Sequence, residues 1–162
     1  MATCICVFSA EGNSGVSGSL LLQQTSEDGA TTIEGQLRGL TPGQKHGLSI
    51  TTYGDVRDGA NSCGTIFNPF GKTHGAPTDD RTLRMVGDLG NVEADDAGVA
   101  TVKIEDKMVK IFGPHSVIGR SMIVCAGQDD QGRGGQETSL TTGNAGPRIA
   151  CGVIGIANPS TS

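Results

Sequence analysis

The chain has 162 residues, with 26 glycines, four phenylalanines, one tyrosine and no tryptophan. That length suits one domain, 1–162, and that composition suits short strands joined by tight turns. A formal charge of -5 and a pI near 5.0, with no basic stripe interleaved with aromatics, argue against nucleic acid and anionic membrane as partners.

The N-terminal MATCICVFSAEG has no positively charged opening and only a brief apolar stretch, so neither a signal peptide nor a membrane span is expected and the expected location is cytoplasmic. Residues 4–9 are the first expected strand, with Cys6 facing inward as apolar filler. Residues 16–23 follow. In Thr32–Leu37, Ile33 and Leu37 share one face and Glu34 and Gln36 the other, the period of a half-buried strand. His46–Thr51 repeats the pattern. Residues 53–84 do not alternate and are long for a loop, which marks a functional segment. Further strands are expected at 85–89, 98–104, 118–124 and 149–156, and 126–147 is a second long loop. Eight short strands with glycine-marked turns predict an antiparallel barrel or sandwich. The five cysteines, Cys4, Cys6, Cys63, Cys125 and Cys151, are an odd number without a signal peptide and are expected to be mostly free thiols.

Several phrases occur in order along the chain: Phe67-Asn68-Pro69, His74-Gly75, Val86-Gly87-Asp88-Leu89-Gly90-Asn91, Ile118-Gly119-Arg120, Asp129-Asp130, Gly143-Asn144-Ala145-Gly146 and Cys151-Gly152-Val153-Ile154-Gly155-Ile156-Ala157. Together they resemble the copper/zinc superoxide dismutase family nearly end to end. The resemblance implies an all-β, eight-stranded antiparallel Greek-key β-barrel, an immunoglobulin-like sandwich. It also implies that 53–84 is a metal-binding loop and 126–147 an electrostatic loop.

The same resemblance implies where metal ligands should stand, and other residues stand there. The family's copper strand reads H-G-F-H-V-H; here it is His46-Gly47-Leu48-Ser49-Ile50-Thr51. Alternation turns Leu48 and Ile50 into the barrel and Ser49 and Thr51 outward. The metal-bridging histidine's place holds Ile66 and the last copper histidine's place holds Cys125. Of the zinc positions His74 and Asp88 remain, while the others hold Ile66 and Met85, and Arg81–Arg84 contains two extra residues. Arg148 keeps the place of the family's anion-guiding arginine, but the lysine places hold Gly127 and Thr141. His46 matches a histidine that holds backbone groups, Asp129 a residue that links the two metal sites, and His115 is expected on an exposed loop.

The family's intrasubunit disulfide keeps its strand half in Cys151. Its loop half falls at Ala60, with Cys63 three residues on, so a Cys63–Cys151 bond requires a re-routed loop. Cys125 has no sequence neighbour that would lower its pKa. The resemblance implies a two-fold dimer through Ile5, Val7, Tyr53, Gly54, Ile118, Gly119, Ile154 and Ile156. From this the expectation is an inactive pseudoenzyme without cofactor, vestigial in Arg148, His74 and Asp88. It would act as a homodimer or as a heterodimer with a true dismutase or its copper chaperone. The alternatives are a dismutase-related oxidoreductase or a copper-handling protein with a rebuilt metal site.

Overall fold

The structure, a computed structural model, describes residues 1–160. Eight strands run β1 Ala2–Ala10, β2 Ser17–Gln24, β3 Thr31–Arg38, β4 Lys45–Thr51, β5 Asp88–Glu93, β6 Ala100–Asp106, β7 Ser121–Cys125 and β8 Arg148–Ile156. They pair antiparallel in the order β5-β4-β7-β8-β1-β2-β3-β6. The two end strands approach each other without a ladder, so the sheet curls into a nearly closed Greek-key barrel. Closure leaves little exposed edge to template aggregation. Among the described residues no helix is long and apolar enough to cross a membrane.

Alternation does the folding. Leu20 and Leu22 on β2, Ile33 and Leu37 on β3, and Leu48 and Ile50 on β4 all point inward and are fully buried. Each contributes about 1.5–3 kcal/mol by leaving water. Cys6 sits among them, fully buried, as its inward position predicts.

Two of the expected strands begin later in the chain. The strand expected at 85–89 runs Asp88–Glu93 instead. Met85 and Val86 belong to the preceding loop, where the Arg84 guanidinium holds the carbonyls of Met85, Val86 and Asp88. The strand expected at 118–124 begins only at Ser121. Ser49 and Thr51 do face away from the barrel core, but they are buried at 5% and 0% exposure. The long segments cover that outer face. Phe67 N–H donates to Ile50 C=O at 2.8 Å and Ile50 N–H to Gly87 C=O at 3.0 Å, binding the first segment onto β4.

The first long segment fills 52–87 and the second fills 126–147. His74 N–H donates to Leu140 C=O across them at 3.0 Å, and Arg133 pairs with Asp79. His115 is half-buried rather than exposed, with its ring edge-on to Phe70 at 4.7 Å.

Candidate functional site

The two segments meet over the outer face of β4 and β7. His46, first of the buried residues on β4, works on backbone alone. Its Nδ1 lies 3.0 Å from Cys125 C=O and its Nε2 accepts from Thr41 N–H at 3.3 Å. The imidazole therefore joins the end of β7 to the turn before β4, and it is unavailable as a ligand.

On one side of the site, three buried polar groups form a chain. His74 Nδ1 lies 2.5 Å from Asp88 Oδ1 and its Nε2 lies 2.7 Å from Asp129 Oδ1. All three side chains are at most 2% exposed. Asp88 Oδ2 also accepts from Gly75 N–H at 2.9 Å and Met85 N–H at 2.8 Å. Asp129 is fixed by Asn91, whose amide donates to Asp129 C=O and accepts from Asp129 N–H. Burial works against charge on His74, but the hydrogen bonds to Asp129 and Asp88 outweigh it and raise its pKa to about 9. A protonated imidazole between two carboxylates follows at neutral pH. Gly143 makes the approach possible: it holds φ +73, and a Cβ there would strike Asp129 Oδ1 and lie 2.6 Å from His74 Nε2.

On the other side, a cavity of about 80 Å³ is lined by Ser49, Ile66, Cys125, Thr142, Arg148 and neighbouring small residues. β7 is irregular between Val124 and Cys125, so Cys125 pairs with Arg148 at the start of β8. A bulge of this kind re-aims side chains at a strand end. Burial pushes the Cys125 thiol up to about 11, and the Arg148 charge offsets this only in part. The neighbour that lowers it, Arg148, is remote in sequence and comes from β8. Arg148 Nη1 donates to Ala60 C=O at 3.0 Å. Thr51 gives its hydroxyl to Ser121 C=O at 3.3 Å.

The implied metals can be tested against these residues. Copper(II) takes a tetragonal set of nitrogen and oxygen donors. Two hydroxyls, an isoleucine and a high-pKa thiol do not supply it. Zinc takes three or four Cys, His or carboxylate donors. His74 Nδ1 and Asp88 Oδ1 are buried atoms with no partner but each other, and so resemble two such donors. Ile66 and Met85, 5% and 8% exposed, add apolar volume and no ligand. Among the described residues no group of three or more His, Cys, Asp or Glu side chains is placed to hold a metal ion. At these positions neither metal finds a complete set of its usual donors.

All five cysteines are free and buried. Cys63 and Cys151 nonetheless come together: a 3-10 turn at Gly59–Cys63 carries Ala60 under Arg148 and Cys63 up to Cys151.

The expected dimer residues divide. Val7, Tyr53, Ile118 and Ile156 are 63%, 60%, 42% and 79% exposed. Ile5 and Gly54 are half-buried and Gly119 is exposed. Ile154 does not belong with them: it is fully buried in the barrel core opposite Cys6. Its neighbour Val153 is on the outer face instead, beside Gly54, whose own Cβ would lie 3.3 Å from it. Alternation says only that Val153 and Ile154 lie on opposite faces, and the pairing of β8 with β1 sets which face is inner. Thr142, Gly143 and Asn91 were also missed, because their roles depend on contacts between segments far apart in sequence.

A family model described as copper/zinc superoxide dismutase (SODC) matches residues 16–154. The chain is 50% identical over 158 residues to a superoxide dismutase [Cu-Zn] of Cordyceps militaris, covering 98% of this chain and all of that protein. It is 54% identical over 147 residues to one of Candida glabrata, covering 91% and 94%. It is 51% identical over 148 residues to one of Saccharomyces cerevisiae, covering 91% and 95%. These relatives overturn the expectation of a metal-free pseudoenzyme with its copper site lost. Proteins matched at about half their positions over nearly their full length carry the name of an enzyme, and the ligand positions alone do not outweigh that. By this match along its length, the chain belongs to the copper/zinc superoxide dismutase family.

Proposed function

We propose that the chain is an oxidoreductase of the superoxide dismutase class, acting on superoxide at the pocket between the two long segments. The observation that carries this reading is the 50% identity to a named superoxide dismutase over 98% of the chain. The pocket supports it. Its cavity of about 80 Å³ suits a small oxygen species, and the Arg148 guanidinium lining it attracts an anion. Ser49 and Thr142, lining the same cavity, carry hydroxyls able to donate to a bound oxygen atom. The His74 imidazolium, screened by Asp129, holds a proton one residue away from the cavity wall. The test is superoxide consumption by the purified protein, prepared with and without copper and zinc. A rate well above that of buffer alone is expected, and rates equal to buffer in both preparations would overturn the reading.

The working form in this reading is a homodimer. Val7, Tyr53, Ile118 and Val153 form the exposed apolar patch that supports it, with Gly54 and Gly119 between them. An apolar core with small residues is what such an interface uses. Light scattering on a Val7→Glu, Ile118→Glu double variant should report a monomer where the parent reports a dimer. A monomeric parent would refute the pairing. A mass equal to one copy plus a dismutase or its chaperone, in a mixture, would favour the heterodimer instead. Five thiols support work in the cytoplasm, where they stay reduced. Cys63 and Cys151 are the pair able to close a disulfide.

A further inference from the structure

Glu11 follows β1 directly, and its backbone N–H donates to Ile149 C=O on β8 at 2.9 Å. The side chain then reaches across to the turn at Gly59–Cys63. One oxygen, Oε1, accepts from Ala60 N–H at 2.6 Å and from the Cys151 thiol at 3.5 Å. The fit is close: Gly59 is at φ +53, and a Cβ there would collide with the Glu11 carboxylate. On the other side of the same residue, Arg148 Nη1 donates to Ala60 C=O. The Cys63 thiol donates back to Gly59 C=O at 3.7 Å. A single carboxylate thus anchors the turn that carries one thiol and accepts a hydrogen bond from the other.

We propose that Glu11 is a positioning residue that holds the Cys63–Cys151 pair in its dithiol form, acting as a brake on disulfide closure. The inference rests on the pairing of these two cysteines put forward above. Its physical basis is an asymmetry between the two redox states. The dithiol has an S–H to give to the carboxylate, and a hydrogen bond to an ionised acceptor is stronger than a neutral one. The disulfide has no S–H and leaves that acceptor with Ala60 alone. The carboxylate also opposes the thiolate through which exchange proceeds. Burial raises the Cys151 pKa to about 12, and Cys63 and Glu11 push in the same direction.

The closure step balances with a low-molecular-weight disulfide as oxidant. Cys151 thiolate attacks one sulfur of oxidised glutathione, forming a mixed disulfide and releasing one glutathione thiolate. Cys63 thiolate then attacks the Cys151 sulfur, forming the protein disulfide and releasing the second. The two protons lost by the cysteines end on the two glutathiones.

The experiment equilibrates the full-length protein, Glu11→Gln and Cys63→Ser in glutathione buffers of graded potential. Free thiols are then alkylated, and the Cys63–Cys151 link is quantified by peptide mass. Glutamine keeps an acceptor for Ala60 N–H and removes the charge, so Glu11→Gln should fold with an unchanged melt. Its equilibrium constant for closure should rise about tenfold, a midpoint about 30 mV more reducing, and closure should be faster. Equal midpoints for the parent and Glu11→Gln would overturn the role of Glu11 while leaving the pairing intact. A parent that forms no Cys63–Cys151 link in fully oxidised glutathione would overturn the pairing and this inference together. If Glu11→Gln melts lower, Glu11→Asp provides the second comparison. A midpoint matching the parent's supports a carboxylate brake, and one matching Glu11→Gln overturns it.

Discussion

The two sides of the site solve one physical problem in opposite ways. On one, His74, Asp88 and Asp129 are buried and polar, and every charge faces an opposite charge. On the other, the uncharged Ser49, Ile66 and Cys125 line a small cavity, and the cation in its wall, Arg148, is tied to Ala60 C=O. A buried charge is tolerated only when paired and hydrogen-bonded. The polar side therefore stands or falls as a unit, while the apolar side is a matter of volume.

The sharpest way to break this comparison is to remove the middle of the polar chain. His74→Ala leaves Asp88 and Asp129 buried without their shared partner, and should cost about 3–5 kcal/mol of stability. Urea unfolding measures it, and a loss under about 1 kcal/mol would mean the carboxylates find other partners. Ile66→Ala tests the apolar side. Deleting a buried isoleucine to alanine should cost about 2–4 kcal/mol, with the value set by how far the pocket collapses. If it equals the His74 loss in both stability and loop order, the two sides do not differ as argued.

Cys125 sharpens the contrast chemically. With its pKa pushed to about 11, few molecules carry the thiolate at pH 8. Alkylation by iodoacetamide should be more than about 100-fold slower in the folded protein than in urea. A rate near the unfolded one would show a pocket more open or more polar than described.

The smallest effect concerns the tie between the long segments. The Arg133 hydrogen bond, with Ala76 N–H, holds Asp79 below its usual carboxylate range. A depressed folded pKa contributes stability above the unfolded value, and that contribution is lost as pH falls through the folded one. Because Arg133 is 60% exposed, the pair should contribute under about 1 kcal/mol. The melting difference between parent and Asp79→Asn should therefore be small at pH 6, begin to shrink only below about pH 4, and vanish once the pH is below the folded pKa. A difference that persists at pH 2 would place the effect of the substitution elsewhere.

Much of the fold was legible because period-two alternation is a local property of the chain. Ile33 and Leu37, or Leu48 and Ile50, declare their inward face with no knowledge of what lies opposite. The phrases from Phe67-Asn68-Pro69 to Cys151-Gly152 placed the chain in its family. The substitutions at Ser49, Thr51, Ile66 and Cys125 were equally legible as residues. What they imply for activity was overstated, since identity along the whole chain to named dismutases bears on function as well.

The residues by themselves determined the strand pattern, the two long connections and the chemical character of each side of the site, because these follow from side-chain type and spacing. The tertiary structure alone decided three other things. Ser49 and Thr51 are buried because segments from elsewhere cover them, so facing away from the core does not mean facing water. Ile154 is core and Val153 is surface because the ladder with β1 fixes the register of β8. Cys63 reaches Cys151 because a 3-10 turn held at Ala60 by Glu11 and Arg148 carries it there. Each depends on contacts between residues distant in sequence, and no local pattern encodes those.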